Sequence, residues 1–185
     1  MNRLLLATRN AHKKRELSEL LAGLPISVFA GLSETIEDQP TLEGNAAKKA
    51  SECAVASGQW SLADDTGLEV RALDGAPGVF SARYAGLSCS YADNNRKLLS
   101  ALAGKKDRSA VFSTVMALSS PRGEVTLEQG VLEGTILEAP RGEKGFGYDA
   151  VFFLPAVGKS LAELEPEEKN LLSHRGRALR AIIPH

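Results

Sequence analysis

The stretch Leu4-Leu5-Leu6-Ala7-Thr8-Arg9-Asn10-Ala11-His12-Lys13 decides the reading of this chain. Three leucines form a short apolar run, and a polar segment follows. The residues beyond it have helical periodicity, with Leu17, Leu20 and Leu21 on one side and Lys14, Glu16 and Glu19 on the other. That pattern is a buried strand, a polar loop and an amphipathic helix. Such a junction aims backbone N–H groups and the positive end of a helix dipole at one spot, where an anion is favoured. Thr8 and Asn10 add neutral hydrogen-bonding groups, and Lys13 adds a mobile charge one turn in. The arrangement suits a phosphate but is not the Walker P-loop, whose glycines and Gly-Lys-Ser/Thr ending are missing. Many α/β proteins begin this way for structural reasons alone.

Outward from that start, Gly23-Leu24-Pro25 ends the helix and Ile26 to Ala30 reads as a second strand. A polar loop carrying Glu37, Asp38 and Pro40 leads to Thr41, the expected N-cap of a helix running to about Ser57. Its apolar side is small (Ala46, Ala47, Ala50, Cys53, Ala54), which suits close packing on a sheet. Trp60 to Ala63 reads as a short strand that ends at Asp64-Asp65-Thr66-Gly67, and Gly75-Ala76-Pro77-Gly78 as a turn. Tyr91 to Leu102 is expected to be helical. Ser109 to Leu118 and Glu124 to Leu137, joined by Pro121-Arg122-Gly123, are expected to form an antiparallel hairpin. An apolar strand at Val151 to Leu154, a helical stretch from Leu161 and a last helix over about Arg175 to Ile183 complete the pattern. The class is α/β with a twisted mixed sheet, and a cleft between two lobes is the natural place for a ligand. No repeat or linker-like tract divides the chain, so residues 1–185 read as one domain.

Composition narrows the function. The chain has 185 residues, enough for a proper core, and is 43% hydrophobic and 24% charged, as soluble globular proteins are. A net charge of -1 argues against a surface that holds long nucleic acid, but not against a small phosphorylated ligand. No apolar run reaches the roughly 18 residues of a membrane span, and the start lacks the features of a signal peptide. Cys53 and Cys89 form neither a disulfide framework nor a Cys-x-x-Cys pair, so a reduced, cytoplasmic protein is expected.

Three groups of residues carry chemistry. Asp64-Asp65 stands where ligands bind in open α/β sheets, outside the carboxyl ends of strands. Neighbouring side chains on an extended backbone point opposite ways, so only one of the pair faces a ligand directly. Such oxygens favour Mg²⁺, which takes one or two carboxylates and leans on substrate phosphates. A solvated turn with Gly67 supplying the bend accounts for the same residues. In Gly145-Phe146-Gly147-Tyr148-Asp149 the flanking glycines leave the Phe146 ring face uncovered, which suits stacking on a planar base. Lys169 precedes Ser173-His174-Arg175 by one helical turn, where a lysine, an imidazole and a guanidinium suit a base and a phosphate. Zinc is not expected, because His12, His174 and His185 lack paired spacing and lie far from either cysteine. No Gly-x-Ser-x-Gly elbow supports a serine nucleophile.

Together these segments resemble the inosine/xanthosine triphosphate pyrophosphatases. Thr8, Asn10, Lys13 and Glu16 match that family's Thr-x-Asn-x-x-Lys-x-x-Glu. Asp64 to Leu68 match its Asp-Asp-Ser/Thr-Gly-Leu, Gly75 to Gly78 its Gly-Ala-Pro-Gly, and Ser81 to Tyr84 its Ser-Ala-Arg-Tyr. Gly145 to Asp149 match its Gly-Phe-Gly-Tyr-Asp, and Glu168-Lys169 with Ser173 to Arg175 its Glu-Lys and Ser-His-Arg. The resemblance covers almost the whole chain. It implies a two-lobed α/β fold around an elongated mixed sheet, a homodimer, and Mg²⁺-dependent cleavage of a purine nucleoside triphosphate to monophosphate and pyrophosphate. By position, Thr8, Arg9, Asn10, Ala11, His12 and Lys13 would hold the triphosphate. Asp65 would be the catalytic carboxylate and a metal ligand, with Thr66 contacting substrate. Phe146, Gly147, Tyr148, Asp149, Lys169, His174 and Arg175 would line the nucleotide pocket. The second metal ligand falls on Glu37, with Asp38 and Glu43 as the other carboxylates nearby.

Three departures stand out. Arg9 replaces a glycine of many members, Gly44 replaces the glutamate before Asn45, and the last helix is shorter than in many members. Two rival readings are a Maf-like pyrophosphatase of pyrimidine or modified nucleotides, and a nucleotide- or RNA-binding module that cleaves nothing. The first has an arginine-rich opening loop that Thr8 to Lys13 does not match. Asp64-Asp65 argues against the second, because carboxylates repel phosphate unless a metal bridges them.

Overall fold

In the computed structural model, residues 2–24, 26–30 and 35–184 are described. The opening stretch folds as its pattern demands. Strand β1 (Asn2–Leu6) runs into a loop and helix α1 (Ala11–Leu21), with Leu6 and Leu17 fully buried. β2 (Ile26–Ala30) pairs with β1 in parallel, Leu4 opposite Val28, so α1 is the crossover that parallel neighbours require. Helix α2 (Leu42–Ser57) makes the next crossover, because β1 also pairs in parallel with β3 (Trp60–Val70), Leu6 opposite Leu62. Thr41 caps α2 by accepting from the Gly44 N–H, and Gly58 ends it in the left-handed conformation.

One expectation fails in a useful way. β3 does not end at Asp64-Asp65 but continues for eleven residues through Thr66 and Gly67. Gly67 is not among the glycines with positive φ and supplies no bend. Leu68 pairs with Gly78 of the short strand β4 (Pro77–Gly78), so hydrogen bonding carries the strand past the point where composition suggests a turn. The two aspartates therefore sit inside a strand and are both buried.

Helix α3 (Tyr91–Ala101) begins with a capping box between Ser90 and Asp93. β5 (Ser109–Ser119) and β6 (Val125–Ile136) are sheet neighbours joined by a turn in which Ser120 N–H donates to Glu124 O, the expected hairpin. β7 (Phe152–Leu154) pairs antiparallel with β6 and with β8 (Lys159–Ser160). Two helices follow, α4 (Pro166–Leu172) and α5 (His174–Ile182), where Ser173 between them is extended. Lys169 and Arg175 thus lie on different helices, and the last helix begins at His174, close to the expected start at about Arg175. Among the described residues the eight strands form one mixed sheet, in the order β2-β1-β3-β5-β6-β7-β8 with β4 on β3.

The chain divides into two compact units: residues 1–65, 114–130 and 174–185, and residues 66–113 and 131–173. Each has its own core. In the first, Leu4, Leu6, Leu17, Leu62, Met116 and Leu179 pack together. In the second, Leu68, Leu98, Phe112, Ile136, Phe152 and Leu161 do so, Phe112 and Phe152 with ring centroids 4.7 Å apart. Within the first unit α5 lies directly on β6. A Cβ at Gly130 would fall 2.1 Å from the His174 carbonyl oxygen, so only glycine permits that approach and the placement of Arg175 that follows from it.

Candidate active site

Strand alternation sends Asp64 and Asp65 to different partners. Asp64 Oδ2 meets the Lys13 ammonium at 3.1 Å and accepts from Arg175 through Nε and Nη2, each at 3.2 Å. Arg175 also donates through Nη1 to Glu16 at 2.6 Å. Asp65 Oδ2 accepts from the Asn45 amide at 3.1 Å, and its Oδ1 lies 3.5 Å from the Lys49 ammonium. Lys49 further donates to Glu37 at 2.5 Å and to the Asp64 backbone carbonyl at 2.6 Å. Asn45 and Lys49 are one helical turn apart on α2, so one helix face presents both to Asp65. All of these residues belong to the first unit.

The electrostatics separate the two carboxyls. Burial raises the proton affinity of each. At Asp64 the charges of Lys13, Arg175 and Lys49 outweigh burial and hold the carboxyl well below its ordinary range. At Asp65 burial wins: Lys49 and Lys13 oppose it, Glu37 adds to it, and the carboxyl lies above its ordinary value. Burial lowers Lys13, with Asp64 opposing and Lys49 and Arg175 reinforcing the shift. Lys49 is shifted upward, because Asp65, Asp64 and Glu37 overcome its burial.

The opening loop keeps its polar groups close to α1. Asn10 is the helix N-cap, accepting from the N–H groups of His12 and Lys13, while the Asn10 N–H donates to Thr8 Oγ1. The cap therefore engages two of the amides on which anion binding was expected to draw. Arg9, Ala11 and His12 are exposed, and Thr8 and Thr66 are half-buried.

The second unit builds a different surface. Asp149 Oδ2 accepts from the Phe146 N–H at 2.8 Å and from the Lys169 ammonium at 2.5 Å. The same ammonium lies 5.0 Å from the centroid of the half-buried Phe146 ring, within cation–π range. Gly147 turns the chain at φ +64° and offers its carbonyl to Asn95 Nδ2 at 3.0 Å. Tyr148 is committed to the core: its hydroxyl donates to the Ser81 carbonyl at 2.8 Å, and burial pushes its proton affinity up. The structure gives Lys169 and Arg175 separate partners, Asp149 for one and Asp64 with Glu16 for the other. His174 is buried at the start of α5.

With this geometry in place the comparisons with known proteins are decisive. The sequence model of the Ham1 family matches residues 4–185. The chain belongs to the Ham1 family. A dITP/XTP pyrophosphatase of Syntrophobacter fumaroxidans is 50% identical over 181 residues, covering 95% of this chain and 78% of that protein. One from Geobacter sulfurreducens is 48% identical over 192 residues, covering 100% and 96%. Among solved structures, a HAM1 protein from Coxiella burnetii superposes with a TM-score of 0.90 at 42% identity, covering 98% of this chain and 96% of that one. The nucleoside-triphosphatase / dITP/XTP pyrophosphatase of Mycobacterium abscessus gives 0.77 at 38% identity, covering 99% and 100%. The mixed sheet with flanking helices is thus the Ham1 family's fold.

Sequence reasoning missed Asn45 and Lys49 as site residues in this Ham1 chain. The signal was present: two polar residues four apart, set among Ala46, Ala50 and Cys53 on a stripe of small apolar side chains that must face inward. The Gly44 departure has a local reason, since a Cβ there would meet Gln39 Cβ at 2.8 Å, in the segment whose backbone N–H holds Asn45.

The donor set can be tested against Mg²⁺. Among the described residues no three His, Cys, Asp or Glu side chains gather as a metal cage. Mg²⁺ does not require one, because it keeps several waters and binds through one or two carboxylates and substrate phosphates. Glu37 and Asp65 hold oxygens on a single cation, the Lys49 ammonium, so the position already stabilises positive charge. The residues fit the ion.

Proposed function

We propose that this chain hydrolyses non-standard purine nucleoside triphosphates (ITP, dITP and XTP) to the monophosphate and pyrophosphate. The activity in the names of its close relatives supports the reading. The observation that carries it in this chain is Asp65, a buried carboxyl raised above its ordinary range and held by Asn45 and Lys49. A buried carboxylate with raised proton affinity suits a general base that orients a water and takes its proton. The attack is in line on the α-phosphorus, with pyrophosphate leaving. Lys13 and Lys49 supply charge to the phosphates, and the loop from Thr8 to Lys13 supplies polar contacts. Phe146 is the base-stacking side chain by family resemblance. His174 and Arg175 belong to the nucleotide site by family resemblance, and Glu37 to the metal site.

Mg²⁺ is part of the proposal, with Asp65 and Glu37 as its protein ligands and neutralisation of phosphate charge as its contribution. The charge balance supports it. Lys13, Lys49 and Arg175 face four carboxylates, those of Glu16, Glu37, Asp64 and Asp65. Such a cluster repels a triphosphate of about four negative charges unless a further cation enters. A homodimer working in the cytoplasm to keep damaged purines out of DNA and RNA completes the reading. No helix among the described residues is long and apolar enough to cross a membrane.

The experiment is pyrophosphate release from a panel of triphosphates, with and without Mg²⁺. The proposal expects release from ITP, dITP and XTP far above that from ATP, and only with the metal. Equal turnover of ATP, or full activity in excess chelator, would overturn it.

A further inference from the structure

We propose that Tyr91 is a positioning residue for the nucleotide base, acting by fixing the ring of Phe146. The inference rests on the reading of Phe146 as the base-stacking side chain. Tyr91 opens α3, and its ring centroid lies 5.9 Å from that of Phe146 with the planes tilted by 48°. That is the separation and tilt of an attractive aromatic pair. It is not the second wall of a sandwich, because a base held between two rings needs about 7 Å, twice the contact distance of carbon atoms. Tyr91 therefore buttresses Phe146 and leaves the stacking to it.

The helix carrying Tyr91 is pinned to the same turn a second time. Asn95, one turn along α3, donates through Nδ2 to the Gly147 carbonyl at 3.0 Å. The Asn95 Oδ1 is buried and accepts no hydrogen bond from the described residues, so the amide's place is set by its bond to Gly147. Asp149 fixes the turn from its other end, accepting from the Phe146 N–H and the Lys169 ammonium. The Phe146 N–H is thus held by Asp149 and the next residue's carbonyl by Asn95, while the Phe146 ring meets Lys169 and Tyr91. Phe146 lies between two glycines, so no neighbouring side chain along the chain limits its rotation. Tyr91 supplies that restraint from another element. At 39% exposure it is not a core residue whose loss would unfold the protein.

The test is steady-state kinetics on ITP and GTP with five proteins: the parent, Tyr91→Ala, Phe146→Ala, the double variant and Tyr91→Phe as the conservative control. Loss of the ring pair should raise KM by about two- to tenfold in Tyr91→Ala, with kcat within twofold of the parent. The rise should be the same for ITP and GTP, because stacking accepts every base. Tyr91→Phe should restore the parent KM, and Tyr91→Ala should add nothing on top of Phe146→Ala. An unchanged KM in Tyr91→Ala, or effects that simply multiply in the double variant, would overturn the proposal. If Phe146→Ala itself leaves KM untouched, the base-stacking reading of Phe146 falls, and the proposal with it.

Discussion

Arg175→Ala tests the central electrostatic argument. Arg175 is 2% exposed and is bonded to two carboxylates, Asp64 through two nitrogens and Glu16 through a third. Truncation leaves buried Asp64 and half-buried Glu16 with one fewer cation. Removing one partner of a buried ion pair costs about 3–5 kcal/mol, mostly because the remaining charge stays buried and unpaired. Lys13 remains 3.1 Å from Asp64, so the lower end, about 3 kcal/mol, is expected. For a chain of this size that corresponds to a fall in Tm of roughly 6–12 °C. Thermal and urea unfolding measure it, and a cycle with Asp64→Asn should return a coupling of about 1–3 kcal/mol.

The pH dependence gives an independent check. The folded-state proton affinity of Asp64 lies below the ordinary carboxylate value, so its pairing contributes stability above that value, about pH 4, and loses it as the pH falls through the depressed range. In Arg175→Ala the depression shrinks. The stability gap between parent and variant should therefore be widest near neutral pH and close below about pH 4. A Tm change under about 2 °C, or a gap that stays constant into acid, would refute the reasoning. The kcat/KM ratio of ITP to ATP, read on the same variant, shows whether Arg175 also reads the base: an unmoved ratio would remove the base-reading role and leave phosphate contact or its carboxylate partners.

Three further predictions follow from the site. Asp65→Asn should keep nucleotide binding but lose roughly 10²–10⁴ in kcat, the range for a positioned acid–base group; parent-like turnover would remove Asp65 from the mechanism. Because burial raises Asp65, in the metal-free protein its carboxyl should take up a proton above the ordinary carboxylate range, read by NMR titration and absent in Asp65→Asn, a midpoint at or below about pH 4 being the contrary result. Gly145→Ala would place a Cβ 2.1 Å from Asp149 Oδ2 at φ +73°, displacing the carboxylate from Phe146 and Lys169, and should raise KM for ITP while costing at least about 1–2 kcal/mol of stability from the backbone alone; an unchanged KM would separate the Asp149 clamp from substrate binding.

Much of this was legible in the residues, for identifiable reasons. The β1–loop–α1 start shows in the switch from an apolar run to helical spacing at Leu17, Leu20 and Leu21. The 109–137 hairpin shows in two long strand-like runs around Pro121-Arg122-Gly123. Asp64-Asp65 was expected to send its two side chains opposite ways, and they do meet different partners, but the pair was not read as the middle of a strand, because the partner that keeps β3 extended is β4, ten residues further on. A last helix from about Arg175, separate from the helical stretch before it, was legible, but Glu168 to Arg175 carries no glycine or proline to mark the break at Ser173. Lys49 and Asn45 share a helix face with Ala46, Ala50 and Cys53, so sequence spacing alone does not separate them from a packing stripe. Partner choice depends on tertiary contact: nothing local to Arg175 says that its acids lie 111 and 159 residues away.

The pair Asp64 and Asp65 shows how two chemically identical side chains acquire different work. They are neighbours in one strand, both buried, and burial alone would raise both. Alternation turns one toward Lys13 and Arg175, and the other toward Asn45 and a lysine shared with Glu37. Two cations on Asp64 keep it ionised at any working pH and make it too weak a base to take a proton from water. A neutral amide and a shared ammonium on Asp65 leave burial in control, so its proton affinity rises toward the range where a carboxylate can act as a base. The two should therefore fail differently. Asp64→Asn takes from Lys13 and Arg175 the carboxylate they share, and its first loss is in the unfolding free energy. Asp65→Asn retains the Asn45 and Lys49 surroundings, and its first loss is in kcat. If both variants lost stability and turnover in the same proportion, the division of labour between the two aspartates would be wrong.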